Sequence, residues 1–567
     1  MSRSGFIQQT IAIIVVAALV LAYVPPVQAQ AEPQAQAQAE AAAADTSMLY
    51  TTILERAVKD GKARDLRLND CIDLALRQNL DIEINRYQPL IRNESLLAAN
   101  GVYDYSVNVD GTYTNSEAPI TDILRQEVLG ITEFKSSSYD LNFTFNRYLP
   151  TGGTATLGFL NSRDSSNTNL YNPTYTGRMN VQFVQPLWKN RSIDSNRRTI
   201  QLADKDKAIS EIDFENRVSG IIKTVEDTYW DLVNAIEQQR IQIQSAELAI
   251  IQLRDNQKRV EIGTLAPIVI TQTRAEVAQS IQRVISAEAS IIQAENSLKN
   301  AITSDPNDPI WDTFLIPVDK PEIPSEVASL DQAVEQAFKN RPEIRSLNLE
   351  LEKDDIDIRY YNNQTKPKFD FTATLGPNGA AGPNVKVAVL DENGNPVIGP
   401  DGQPLYEDSD KFTGRLNKVY SQIFSFDYTD WSVRFNFQYI FGNDAAKAAL
   451  ATARLGKDLN LSTLKQTFQG VRVEVLNAIQ TIEVNRKSLY SATIARQFQE
   501  EQLTGQNKRF QAGLATNFEV LQTQRDLATA RAAELSSLIN LKKSIVALNK
   551  STFTLLTQNQ LEVALTR

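Results

Sequence analysis

Residues 257–278 read QKRVEIGTLAPIVITQTRAEVA, and residues 507–528 read NKRFQAGLATNFEVLQTQRDLA. Aligned at Gly263 and Gly513, the two stretches share Lys258/Lys508, Arg259/Arg509, Gln272/Gln522, Thr273/Thr523 and Ala278/Ala528. A second match aligns Leu68–Ile82 with Leu330–Ile344, pairing Ala75 with Ala337, Asp81 with Glu343 and Ile82 with Ile344. Matched blocks in the same order mark an internal repeat, and the repeat decides the architecture. Residues 48–303 form the first copy and 329–556 the second. Residues 304–328, with Pro306, Pro309, Pro317, Pro321 and Pro324, connect them, and 557–567 form a tail.

Around each glycine the pattern is that of a very long helix, a turn and a return helix. No proline lies between Pro186 and Pro267, and none follows Pro404. Ile222, Tyr229, Ile236, Ile243 and Ile250 recur every seventh residue, beside Val225, Leu232, Ala246, Leu253 and Val260, with Gln239 as the exception. A helix of about 70 residues is ~105 Å long, deeper than any ordinary globular core, so such helices pack along one another as coiled coils. The return helices alternate large and small heptad positions. Ile270, Val277, Val284, Ile291 and Leu298 run beside Thr273, Ser280, Ala287, Ala294 and Ala301. Val520, Leu527, Leu541 and Leu548 run beside Thr523, Ala530, Ser537, Ser544 and Ser551, with Glu534 breaking the apolar row.

Between the helical blocks the period changes to two. Tyr103, Tyr105, Val107, Val109 and Tyr113 form one apolar row, and Met179, Val181, Phe183 and Leu187 another. Phe369, Phe371, Ala373 and Leu375, then Val433, Phe435, Phe437 and Tyr439, repeat the plan in the second half. Apolar, aromatic-rich faces opposite polar ones fit strands of an outer-membrane barrel, with Trp188 and Trp431 as interface anchors at strand ends. This count gives four barrel strands per chain, too few to close a pore, so the barrel is expected to be shared between subunits. Tyr139–Tyr148 and Thr154–Leu160 flank Pro150-Thr151-Gly152-Gly153 as a further hairpin, which the pattern places either in the barrel or beside it. Residues 377–430, rich in Gly, Asn, Asp and Pro, read as a long extracellular excursion.

Composition narrows the function. The 567 residues hold no histidine and one cysteine, which excludes histidine general bases, internal disulfides and Cys/His zinc sites. Cys71 sits in an apolar helical pattern and reads as a buried small residue. With 58 basic and 68 acidic residues the chain lacks the basic footprint of a nucleic-acid binder. Met1-Ser2-Arg3, the apolar run Ile11–Ala22 and Val27-Gln28-Ala29 form an export signal over residues 1–29, too short for a bilayer span of ~20 residues. Its removal takes Arg3 and no acid, leaving the mature chain one unit more negative than −10. Residues 30–47, chiefly Gln, Ala, Glu and Pro, read as a disordered leader.

Together the export signal, the repeated strand–helix–turn–helix plan, Arg259-x-x-x-Gly263, Arg509-x-x-x-Gly513, Gln185-Pro186-Leu187 and Asn340-Arg341-Pro342-Glu343-Ile344 carry a resemblance. The chain resembles the TolC-like outer-membrane efflux family over nearly all of its mature length. The resemblance implies an α+β membrane protein: a homotrimeric outer-membrane β-barrel of twelve strands, continued by a periplasmic α-helical coiled-coil barrel of twelve helices. It implies a passive conduit of a tripartite efflux or type I secretion system, partnered by a periplasmic adaptor and an inner-membrane pump, with no catalytic site, cofactor or metal. Gly263, Thr264 and Leu265 with Gly513, Leu514 and Ala515 fall at the hairpin tips that meet the adaptor. Glu519 and Gln522 fall where the family places acidic residues at the periplasmic constriction. Glu519 matches and Gln522 is neutral, so one acidic ring is expected. Val269 stands where the first repeat can carry an acid, and Ala515 replaces the family's basic residue. Thr516 and Glu519 also have capping-box spacing, a local structural role.

Two other readings stand beside this one. A cell-envelope coiled-coil scaffold without a pore explains the helices and leaves the aromatic strand faces without a purpose. A two-carboxylate hydrolase would need a cluster of acids on loops, and none is visible. The cargo is not written in the sequence.

Overall fold

The computed structural model describes residues 53–559, apart from 122, 124–126, 128–129, 323–328 and 409–410. The export signal and the leader lie outside the described residues. The chain opens with α1 (Ile53–Lys59), β1 (Ala63–Leu66), α2 (Leu68–Gln78) and α3 (Leu80–Asn100), followed by β2 (Ser106–Pro119), β3 (Glu133–Tyr148), β4 (Thr154–Ser166) and β5 (Thr174–Pro186). Then come α4 (Ser195–Glu261), α5 (Ile268–Ile302) and β6 (Phe314–Pro317). The second half holds α6 (Leu330–Asn340), α7 (Pro342–Gln364), β7 (Lys368–Ala381), β8 (Lys386–Ala388), β9 (Tyr406–Asp408), α8 (Leu416–Ser425) and β10 (Tyr428–Gln438). It ends with α9 (Asp444–Gln511), α10 (Asn517–Ser551) and α11 (Leu555–Gln558).

The helices of the halves match closely: α4 and α9 have 67 and 68 residues, and α5 and α10 have 35 each. At 1.5 Å per residue the long ones extend ~100 Å. No single partner covers that length. The distal part of α4 packs on α5 and that of α9 on α10, while α3 and α7 line the parts nearer the strands. The heptad rows are the seams. Ile222, Val225, Tyr229 and Leu232 are fully buried, as are Val284, Ile291 and Leu298. Thr273 and Ser280 of the small row are 0% exposed, so the part of that row nearer the turn is buried in the seam. Glu534 lies at the surface of its seam, with its carboxylate 2.6 Å from Arg496 Nε of the facing α9. That ion pair accounts for the break in the apolar row.

Near the middle of the long helices the connector forms a belt. β6 pairs in parallel with β1, and Phe314 and Leu315 are buried with Ile72, Tyr229 and Trp230. Asp319 accepts from the Leu68 amide (2.7 Å) and from the Tyr229 hydroxyl (2.9 Å), tying the belt to α2 and α4. Cys71 is 0% exposed here, and burial pushes its thiol up to about 12, so it stays protonated and inert. The sharp breaks between α2 and α3 and between α6 and α7 carry one device in two chemistries. Asn79 Nδ2 donates to the Ala301 carbonyl (2.8 Å) at the end of α5, and Arg341 Nη1 donates to the Ser551 carbonyl (3.2 Å) at the end of α10. Arg341 also grips Glu474 with two bonds of 3.0 and 2.7 Å.

The strands correct the sequence reading. One sheet holds six strands in the order β10-β7-β5-β4-β3-β2, all antiparallel, where four were expected. The 139–160 hairpin is β3 and β4, inside the sheet. β7 runs on to Ala381, and the 377–430 stretch contains a helix, α8, that the composition hid. Trp431 lies within β10, opposite Leu375, instead of at a strand end. Register aligns one face across all six strands. Val107 and Val109 meet Phe145 and Phe143, which meet Leu157 and Phe159, and these meet Val181 and Met179. Phe183 meets Ala373, and Ala373, Phe371 and Phe369 meet Val433, Phe435 and Phe437. The opposite face carries Asn108, Asp110, Asn142, Thr144, Asn180, Gln182, Thr372, Thr374, Arg434 and Asn436. No helix among the described residues is long and apolar enough to cross a membrane.

The seam yields a test. Val284→Asp, at a position only 4% exposed, buries an unpaired charge at a cost of roughly 3–5 kcal/mol. We expect a clear fall in melting temperature and in yield of folded protein, and an unchanged melting profile would refute the seam.

Candidate functional site

Both hairpin tips are built alike. In the first, the Gly263 amide donates to the Val260 carbonyl and the Thr264 amide to the Arg259 carbonyl at 2.8 Å. In the second, the Gly513 amide donates to Phe510 and the Leu514 amide to Arg509, also at 2.8 Å. The bond reaching back five residues closes a helix on a left-handed residue, and Gly263 and Gly513 have φ of +78° and +75°. A Cβ at either position would meet nothing within 4 Å, so the requirement is one of backbone conformation alone. Leu265 and Ala515 are half-buried beneath the turns, while Thr264 and Leu514 stand outside. Pro267 occupies the N-cap position of α5 without a capping hydrogen bond, whereas Thr516 caps α10 in a full capping box with Glu519.

The two tips hold each other through groups the sequence reading did not single out. Asn256 Nδ2 donates to Thr273 Oγ1 (2.9 Å) and to Asn517 Oδ1 (2.8 Å), and Asn517 Nδ2 donates to Thr273 Oγ1 (3.0 Å). All three are at most 4% exposed. A closed polar trio in an apolar seam fixes the relative position of α4, α5 and α10, since each member is costly to leave unpaired. The Arg259 guanidinium lies 4.9 Å above the Phe510 ring of the other hairpin. Farther from the tip, Glu276 is 6% exposed and takes Arg283 of its own helix (2.9 Å) and Arg525 of α10 (2.7 Å). Arg525 thus supplies a cross-hairpin tie that Ala515 does not. Still farther along, Glu500 is held below the usual carboxylate range, first by its hydrogen bond from Arg531 and then by Arg496.

Glu519 and Gln522 are both exposed on one side of α10. Glu519 Oε2 accepts from Gln506 Nε2 at 2.7 Å and from the Thr516 amide at 3.2 Å, so the carboxylate caps its helix and still faces solvent. Gln522 Nε2 donates to Asp526 Oδ1 at 2.9 Å. Asp526 therefore continues the acidic line one turn beyond Gln522. Its spacing from Glu519, one heptad, is the signal that would have found it. In the first repeat Val269 and Gln272 put no charge on the matching turn.

Four large apolar side chains stand out from the tips: Ile262 (73% exposed), Ile268, Leu514 and Phe518. Exposed apolar side chains at the free end of a ~100 Å hairpin make the tips a candidate contact surface.

This arrangement has known counterparts. The family model for the outer membrane efflux protein matches residues 154–304 and 333–552, most of the chain. The chain belongs to that family. It is accordingly an efflux channel of the outer membrane, with a periplasmic extension, and not an enzyme. Solved structures agree in fold. The outer-membrane channel OprN is 16% identical with a TM-score of 0.58, covering 86% of this chain and 89% of its own. The CmeC channel of Campylobacter jejuni is 16% identical at 0.54, covering 88% and 90%. VceC of Vibrio cholerae is 14% identical at 0.55, covering 86% and 95%. No curated protein matches the chain by sequence. The family match begins at Thr154, which leaves β2 and β3 outside it.

If the apolar tips are the docking surface, charge there should abolish docking without touching the fold. We expect Leu514→Asp combined with Phe518→Asp to reach the outer membrane at normal levels while efflux falls to that of a channel-free strain. Normal efflux from the double variant would remove the tips from the contact.

Proposed function

We propose that three copies of this chain close one conduit, and that its tips dock on the periplasmic adaptor of an inner-membrane pump. The observation that carries the reading is that, among the described residues, both flanks of the chain are unpartnered on every layer. In the sheet, β2 and β10 are edge strands whose side chains are almost wholly exposed. In the helical part the packing order is α3–α4–α7–α9 near the strands and α5–α4–α10–α9 toward the tips. One flank is thus β2, α3 and α5, and the other is β10 and α9. Each bears an uncovered apolar stripe. On α9, Leu455, Leu459, Val473, Val484 and Phe498 are exposed and lie within about 60° of one another around the helix. On α3, Leu80, Ile84, Tyr87 and Ile91 are exposed at helical spacing, continued on α5 by Ile285 and Ile292.

Two different complementary flanks make a head-to-tail interface, which closes into a ring when the rotation between copies is a whole fraction of a turn. The copy number follows the family resemblance. Six strands in each of three copies give an eighteen-stranded barrel in place of twelve. A barrel of that size leaves an aqueous channel. In this arrangement α10 carries Glu519 toward the axis at the periplasmic end, with Asp526 behind it. The carboxylates repel one another and attract cations. The apolar row across all six strands has no role in a poreless scaffold.

Two measurements test this. Each stripe residue on α9 contributes roughly 1.5–3 kcal/mol when covered, so Phe498→Glu should convert the trimer to monomers by mass in detergent while helicity is kept. A wild-type chain that is monomeric and stable in detergent would refute the ring. For the constriction, Glu519→Gln keeps the cap and removes the charge. Planar-bilayer recordings should show weaker cation preference and weaker block by multivalent cations, deepened by adding Asp526→Asn. Unchanged selectivity in an assembled trimer would reduce Glu519 to its capping role.

A further inference from the structure

The apolar face of the sheet has visible borders. At one end Arg147 lies 4.3 Å above the Tyr105 ring, and at the other Arg163 lies 5.5 Å above the Tyr139 ring, both on the apolar side. Between Arg147 and Tyr139 the row is Phe145, Phe143 and Leu141, roughly 27 Å along the strand, which at a strand tilt of about 35–45° spans about 19–22 Å of the ~25 Å apolar band of an outer-membrane barrel. Beyond Phe159 the outward residues of β4 become Asn161 and Arg163, so the band ends there.

Helix α8 lies at that border. Gly177 and Gly379 are cross-strand neighbours at the level of Asn161 and Leu141. A Cβ on Gly177 would come within 2.7 Å of Val419 Cγ1, and one on Gly379 within 2.7 Å of the Val419 carbonyl. The two glycines form a seat that no other residue permits. Val419 and Ile423 are buried in it against Tyr175, Met179 and Ala381, all on the apolar face. Gln422 Oε1 accepts from the Ala380 amide (2.9 Å), and the Tyr420 hydroxyl donates to Asn161 Oδ1 (2.8 Å). Away from the sheet, Phe424 is 64% exposed and Phe426 51%, and Arg415, Lys418 and Ser421 are exposed as well.

We propose that α8 is an interfacial helix on the lipid-facing wall of the barrel, with Phe424 and Phe426 inserted at the acyl–headgroup boundary of the outer leaflet. The inference rests on the reading that the sheet is a barrel wall. The occupant is lipid because the face on which α8 sits is continuous with the apolar band, and the helix lies where that band ends. Aromatic tips with flanking cations are the chemistry of that boundary. The helix then fixes the height of the channel in the membrane by a device on its outer surface.

The test uses nitroxide labels on the full-length chain carrying Cys71→Ala, reconstituted in phospholipid bilayers. Labels at Phe424→Cys, at Phe435→Cys in mid-band and at Thr264→Cys on the periplasmic tip are compared for accessibility to oxygen and to a water-soluble nickel chelate. The expected order of the oxygen-to-nickel ratio is 435 above 424 above 264. A ratio at 424 equal to that at 264, with 435 high, overturns the interfacial helix and leaves the barrel standing. A label at 424 immobilised and closed to both reagents also overturns it, because protein then covers α8. A low ratio at 435 as well refutes the barrel wall itself.

Discussion

The large/small heptad seam between antiparallel helices is the interaction on which the other features depend. It lets α4 and α9 run for 67 and 68 residues with partners that change along the way. Once helices of that length exist, the sheet has to sit at one end and the turns at the other. The chain becomes a slab with two open flanks instead of a ball with one core. The connector belt, with β6 against β1 and Asp319 bonded to Leu68 and Tyr229, stiffens the slab where the partners change over.

Polar groups set the register that apolar seams leave loose. Asn79 and Arg341 hold the helix breaks to carbonyls at the ends of α5 and α10, and the Asn256–Thr273–Asn517 trio does the same at the tips. An apolar stripe tolerates sliding by a heptad. A hydrogen-bonded trio that is almost fully buried does not, since a slip leaves each member unpaired. The halves thus solve one positional problem with different residues, which is why identity between them is patchy where geometry is alike.

Much of this was legible in the sequence. The seven-residue rows, the glycine turns and the Thr516–Glu519 cap are local patterns, and local patterns are what a single sequence states directly. The sheet was undercounted because alternation is a weak signal in strands with one polar face. β3 carries Lys135-Ser136-Ser137-Ser138 near its start, and the apolar row of β4 fades into Asn161 and Arg163. Helix α8 was hidden by its surroundings: Leu416, Val419, Tyr420 and Ile423 do recur at helical spacing, but over only ten residues set inside a Gly- and Pro-rich stretch. Glu534 made no sense alone, because its partner Arg496 is assigned only by the facing helix.

The sheet order also fixes a sequence of events in assembly. Strands β2 to β5 pair with their neighbours in the chain, as local hairpins do, whereas Gln185 of β5 has to find Phe371 of β7 across the whole first helical hairpin. Contacts so distant along the chain form late. While the second half is still being exported, β5 presents an open ladder edge and a bare apolar face to the periplasm, a surface prone to mispairing. A periplasmic factor that shields the β5 edge would act on half-finished chains, whereas the β2 and β10 edges stay open until neighbouring copies cover them.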